Sequence, residues 1–513
     1  MKNIYIIFIL FIIMSISACS DTFLDKSNPN LMSSSNFWTT GADLQKGIDA
    51  AYRPLRFNGV YGRWLHVLYV SRSDEGYSES PNPYFQSWSN FLTKNYNDDA
   101  ADALLFTWLD LYKGVFWANQ VIDNSGTIVM DENLKKRIVG EAYFLRGLHF
   151  FNLAAVYGRG PLTLTAFAGG AAPVVVEQDG LYLQAKKDFQ EAMKRLPTYY
   201  AESKNLGRAT EGAARGMLIK VLMQQKNWTD AAAESLNLFT MKNSGGQPLY
   251  SLVANYKDNF SQVNENNQES VFEVQFAPGL QSGIEVGWSR AKFLGIPADG
   301  LSWADAFPRK SLYTEFQLEK TISNQTDPRL KPTLAYYDPA QPTEKFYGKT
   351  WDNLGLNKNM VYWKKYTNYE TAIVEDYNSG INFRVVRLAD LYLLYAEALN
   401  ELGRTSEAYE YIDKVRRRVG MPDLENSTVF GGIGNDQQKM RLQIRHERSC
   451  ELGGESTRWF DLERWGMFEN ASDISWLKNR DADFNNFITG VSNRFPIPYR
   501  ELSLVPINQN PGY

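Results

Sequence analysis

From Arg387 to Val419 the residue spacing is that of a helix hairpin. Tyr392, Ala396 and Leu399 fall on one helical face, Gly403 breaks the chain, and Ala408, Ile412 and Val415 form the facing stripe. Ala396 and Ala408 are small enough to let two helices approach closely. Thr405 or Ser406 suits the N-cap of the second helix, Arg416 to Arg418 suit its C-terminal dipole, and Gly420 with Pro422 ends it. The register recurs earlier in the chain. Ile219, Leu222, Lys226 and Ala231 stand at one constant offset from Ala396, Leu399, Gly403 and Ala408, with Asn227 as cap and Ser235 in place of the large Ile412.

This spacing resembles one tetratricopeptide repeat. Ala185, Phe189, Ala192 and Pro197 reproduce a second repeat helix, and Leu145, Gly147, Leu148 and Phe151 supply a first, split from it by a Gly-, Pro- and Ala-rich insertion at 157–180. A fourth pair is expected from Ala42 to Phe57 and from Leu104 to Ile122. Four diverged pairs are enough to stack into a continuous core. Between Asn243 and Asn382 helical periodicity fades, the chain turns rich in Asn, Gly, Pro and aromatics, and short strands such as Val271 to Phe276 are expected. The fold class is therefore mainly α: a tetratricopeptide-like superhelix of helical hairpins carrying a loop-rich inserted subdomain with short β-strands. The expected organisation is a signal at 1–18, a tether at 19–40 and one domain at 41–513, with repeats at about 41–242 and 383–513 and the insertion at about 243–382.

The start of the chain bears on location. After Lys2 an apolar stretch runs from Ile4 to Ile16, shorter than the roughly 18 to 20 residues that span a bilayer. It reads as a secretory signal. Ile16-Ser17-Ala18-Cys19 resembles a lipobox, which makes Cys19 the site of lipidation and the mature N-terminus. Cys450 is then the one thiol left to react, and no intramolecular disulfide is possible. The net charge of −4, with signs mixed along the chain, leaves no nucleic-acid footprint.

Five ordered segments resemble the SusD/RagB-like outer-membrane nutrient-binding lipoproteins of Bacteroidetes. They are EAYFLRGLHFFNLAAVYGRGPL (141–162), TDPRL (326–330), RLADLYLLYAEALNELG (387–403), IRHERSCELGGESTRWFDLERWG (444–466) and the ending FPIPYRELSLVPINQNPGY. Ser456 stands where the family pattern has glycine, and Pro506 lies near an expected Asn-Pro. The resemblance implies a lipid-anchored, non-catalytic lid on the outer face of the outer membrane, without cofactor. Such a lid captures oligosaccharide or polysaccharide and delivers it to a SusC-like TonB-dependent transporter. The alternative is a helical-repeat assembly scaffold with no sugar site of its own.

Sugar capture needs flat aromatic platforms flanked by hydrogen-bonding side chains, and aromatics make up 14% of this chain, more than a helical core requires. By loop position and side-chain type the expected platforms are Tyr77, Tyr84, Trp88, Trp288, Trp303, Tyr337 and Trp363, with Arg72, Asp74, Asn82 and Asn90 as polar partners. Leu301 to Phe307 reads as an amphipathic helix that would turn Trp303 toward the core. His446, Glu447, Cys450 and Glu451 share a helical face, but Arg445 and Arg448 beside them favour ion pairs over a metal. Arg458, Asp461 and Arg464 are expected to lock the C-terminal segment onto the repeats. Asp98, Asp99 and Asp102 show no partner across a cleft of the kind a glycosidase needs, and Asn95 to Asp99 lack the glycine and terminal glutamate of an EF-hand.

Overall fold

The computed structural model describes residues 37–79, 85, 88–91, 102–166, 172–281, 284–297, 300, 302–371, 375, 379–427, 429–504 and 506–513. Cys19 and the signal, Asn82, Tyr84, and the Asn95–Asp99 stretch lie outside the described residues.

Four helix pairs form the scaffold. They are α1 (Gly41–Tyr52) with α3 (Asp102–Ser125), α4 (Glu132–Tyr157) with α5 (Gln178–Met193), α6 (Glu211–Gln224) with α7 (Trp228–Phe239), and α8 (Leu388–Glu401) with α9 (Thr405–Arg418). Helix α2 (Trp64–Ser71) sits in the first excursion, and α10 (Gln437–Leu452), α11 (Arg458–Arg464) and α12 (Ala471–Arg480) follow the last pair. Each helix packs on the next, α3 on α4, α4 on α5, α5 on α6, α6 on α7 and α7 on α8, so one apolar core runs the length of the stack. Ala396, Leu399, Ala408, Ile412 and Val415 are all fully buried, as the hairpin spacing requires.

Local chemistry sets the helix ends. Thr40 and Asp43 form a reciprocal capping box on α1, and Asp131, Thr210 and Asn227 cap α4, α6 and α7. Thr405 does not cap α9: it is the first helical residue, and its hydroxyl donates to Asn400 Oδ1 at 2.8 Å. Ser235 keeps its place in the core because its hydroxyl donates back to the Ala231 carbonyl at 2.7 Å. Gly403 and Lys226, which share a register position, share a left-handed backbone, with φ of 75° and 54°. Ser456 likewise holds φ 65°, the region that favours the glycine of the family pattern, and its hydroxyl lies 3.1 Å from His66 Nδ1.

Among the described residues the excursions carry two-stranded antiparallel ribbons built from β1 (Gly76–Tyr77), β2 (Arg159–Leu162), β3 (Val174–Glu177), β4 (Ser270–Val274), β5 (Phe307–Pro308), β6 (Leu334–Tyr336), β7 (Val361–Trp363) and β8 (Phe383–Arg387), with two further short ribbons pairing Leu280–Gln281 with Ile284–Glu285 and Lys345–Phe346 with Lys349–Thr350. β2 pairs β3 across the split hairpin, β4 pairs β8 with a bulge near Val386, β6 pairs β7, and β1 pairs β5. A second, smaller apolar cluster surrounds Trp351 within the loop-rich region.

A buried ionic lattice ties that region to the repeats. Glu451 on α10 meets Arg387 at 2.6 Å, Arg329 at 3.2 Å, and Arg418. Glu447 meets Arg329 at 2.5 Å and Arg416 at 3.0 Å, while Arg387 also reaches Glu269 at 2.9 Å and Glu455 at 2.7 Å. Burial opposes ionisation of Glu451, but Arg418, Arg387 and Arg329 outweigh it and hold the carboxyl far below the usual range. The carboxylates on α10 thus pair with arginines from other elements, not with their own neighbours. Arg448 goes instead to Asp390 and Asp461, at 2.9 and 2.7 Å, and Arg445 packs over Trp465. Arg464 grips Glu397 of α8 at 2.6 Å, the expected lock between the C-terminal segment and the repeats. Cys450 is fully buried with its thiol pushed well up by burial, so the reactivity expected of it is suppressed.

Two stability measurements follow. Lys226→Gly relieves left-handed strain and raises the unfolding free energy by about 0.5–1 kcal/mol in urea titrations. Arg387→Ala takes a buried partner from Glu269, Glu451 and Glu455 at once and lowers it by about 3–5 kcal/mol; a loss of less than about 1 kcal/mol would contradict the role of the lattice.

Candidate functional site

The first excursion folds back on α3 and leaves an open cleft of about 560 Å³. Its aromatic walls are Phe57, Trp64 and Phe106, and its polar groups include Arg56, Arg63, Asp110 and Lys113. Two glycines make the shape possible. A side chain at Gly59 would collide with the Phe106 carbonyl, and one at Gly62 with that of Arg56. The Gly59 N–H donates to Asp110 Oδ2 at 3.0 Å, and the Ser289 hydroxyl donates to the Gly62 carbonyl at 2.6 Å, joining the cleft to the loop-rich region.

Trp64 is half-buried and held from several sides. Its ring lies 5.8 Å from Phe85, 6.0 Å from Trp88 and 5.6 Å from Phe293, with the Arg63 guanidinium 5.2 Å from its centroid. Phe293 in turn meets Trp303 edge-on at 5.0 Å. Trp303 is 51% exposed, the opposite of the amphipathic-helix expectation. Residues 302–305 are not helical. Trp303 N–H donates to the Lys292 carbonyl at 2.7 Å, and Ala304 takes a left-handed φ of 48°, a backbone state that costs energy.

The other expected site residues separate into groups. Trp288 and Trp363 are fully buried, with Trp288 stacked on Phe276 at 5.4 Å, so neither ring presents a face to a ligand. Trp88 is 2% exposed and backs Trp64 from behind. Arg72 is buried too: its Nε donates to the Ser492 carbonyl at 3.1 Å and its guanidinium lies 4.0 Å from the Phe495 ring, which fastens the C-terminal segment. Asp74 is fully buried between Arg458 and Arg480, at 2.6 and 3.0 Å. The Asn90 amide, half-buried, lies 3.1 Å from the Asp483 carboxylate. Tyr77 and Tyr337 are half-buried in the loop-rich region, covered by Arg309 at 4.1 Å and Lys358 at 4.3 Å. Of the described platforms only Trp303 stands open, and it does not line the cleft: Phe293 lies between it and Trp64. Phe57, Trp64 and Phe106 escaped sequence reasoning; the signal was the aromatic and glycine alternation in FNGVYGRW (57–64), ahead of the loop where platforms were sought.

Two family models match this architecture. The SusD family matches residues 268–513, and a second family, described as starch-binding associating with outer membrane, matches residues 22–223. Together the two matches span most of the chain and mark it as a SusD/RagB-like protein. SusD-like protein P25 of Formosa agariphila is 27% identical, over 99% of this chain and 98% of its own. A SusD superfamily protein from Bacteroides vulgatus superposes with a TM-score of 0.79 at 24% identity, covering 93% of this chain and 100% of that one. A laminarin-binding SusD-like protein superposes with a TM-score of 0.73 at 25% identity and the same coverage.

The Asp74 region yields a pH signature. Burial opposes ionisation of Asp74, but Arg458 and Arg480 outweigh it and hold it at about 2. Burial pushes Glu75 up to about 7, more than Arg458 pulls it back. Asp74 therefore contributes stability above its unfolded value of 3.8 that is lost as pH falls through about 2. Glu75 binds its proton in the folded state first, so stability rises as pH falls from about 7 to 4.5. Thermal unfolding should thus show a higher midpoint at about pH 5 than at about pH 8 and a collapse below about pH 4, with Glu75→Gln flattening the upper limb.

Proposed function

We propose that the protein is a cell-surface glycan-binding lipoprotein, anchored through Cys19 and a tether to the outer membrane and facing the exterior. It captures oligosaccharide and passes it to a SusC-like TonB-dependent transporter, without chemistry of its own. The observation that carries this reading is the cleft of Phe57, Trp64 and Phe106. A pyranose presents a face of polarised C–H groups to such rings and its hydroxyls to the charged and amide groups at the rim. The laminarin-binding relative and the starch-binding family description point to the same ligand class.

The protein lacking residues 1–18 should bind a polysaccharide saturably, with micromolar to millimolar affinity, about −8 to −4 kcal/mol. Phe106→Ala, at a cleft wall that is 45% exposed, removes one platform and weakens binding several-fold, about 1 kcal/mol, without moving the unfolding midpoint. Unchanged binding would remove the cleft from the site. Release of reducing ends from the bound polymer would contradict the non-catalytic reading, and co-purification with an outer-membrane barrel tests delivery.

A further inference from the structure

Among the described residues that line the cleft, Arg56, Arg63 and Lys113 stand with one carboxylate, Asp110. That carboxylate is already engaged, accepting from Gly59 N–H at 3.0 Å and from Lys113 at 2.9 Å. The arginines of the interior lattice each meet a carboxylate. Arg56 does not: among the described residues no carboxylate lies within ion-pair distance of it, and the charge it feels is the like charge of Arg53. Burial and Arg53 together lower its hold on the proton. A half-buried guanidinium without a counter-charge is unfavourable in the empty cleft and becomes favourable when a ligand brings an anion. Arg63, held 4.7 Å from the Phe293 ring, also lines the cleft.

Resting on the glycan reading of this cleft, we infer that its ligand is an acidic saccharide, bearing sulfate or uronate groups, with Arg56 meeting the anion while the aromatic walls take the sugar faces. A neutral glycan satisfies the rings and leaves the Arg56 guanidinium uncompensated. An acidic one satisfies both.

Three oligosaccharides of equal length are titrated into the protein lacking residues 1–18: a sulfated galactan fragment, an oligouronate and a neutral β-glucan. At least one acidic probe should bind about tenfold or more tightly than the neutral one, and the one that does so identifies the anion. Its advantage should shrink at about 1 M salt, where charges are screened within about 3 Å. Arg56→Gln should remove about tenfold of acidic-probe affinity, and Arg56→Lys should restore part of it. Equal binding of the neutral probe, or acidic binding indifferent to Arg56→Gln, overturns the inference; in that case sensitivity to Phe106→Ala keeps the cleft as the sugar site. Failure of all three probes to bind overturns both readings.

Discussion

Glu451 is the carboxylate around which the two parts of this molecule are joined. It lies in α10 with no exposure, where an unpaired charge would cost several kcal/mol. Arg329 comes to it from the loop-rich region, Arg387 from the end of β8 and Arg418 from the end of α9. Apolar packing tolerates sliding, because dispersion has little direction. A guanidinium that must meet two carboxylates at once does not. The lattice therefore sets where the excursion sits on the repeats, and removing one partner leaves the others as buried charge.

This gives the short segments of the sequence a physical meaning. Asp327 and Arg329 come from TDPRL, Arg387 opens the helix of the last hairpin, and Glu447, Glu451, Glu455, Arg458 and Arg464 come from the 444–466 segment. They are parts of the lattice, not ligand contacts. The ending behaves similarly: Asn510 donates to the carbonyls of Tyr157 and Phe495, at 2.7 and 2.6 Å, closing the C-terminus against the end of α4. The segments that most clearly mark the family are those that hold the fold, which is why they say nothing of the glycan.

Aromatic side chains do two jobs here. Trp288, Trp363 and Trp108 are fully buried, or nearly so, and fill the core beneath the excursions. A smaller set at the edge of the first excursion is half-buried or open, with a second ring behind it: Trp88 behind Trp64, Phe293 behind Trp303. A ring held from one side can stack on a sugar without losing further conformational freedom. Lys and Arg beside those rings supply a field that packing alone does not need.

The helices and their pairing were legible because helix faces, caps and stops are local: Ala396 to Ala408, Asn227 and Gly403 act within a few residues of themselves. The shared left-handed turn at Lys226 and Gly403 shows that the offset between repeats was structural and not coincidental. The site was legible only in kind. Composition and loop length called for aromatic platforms, yet a tryptophan in a loop looks alike whether it ends inside or outside. Trp288 was drawn in by His66 and Phe383, far from it in the chain, while Trp303 stays out, met edge-on by Phe293. What the amino-acid order determined by itself was the stack of hairpins and the chemistry available to its excursions. Tertiary structure alone decided which rings face water, because exposure is set by neighbours distant in sequence.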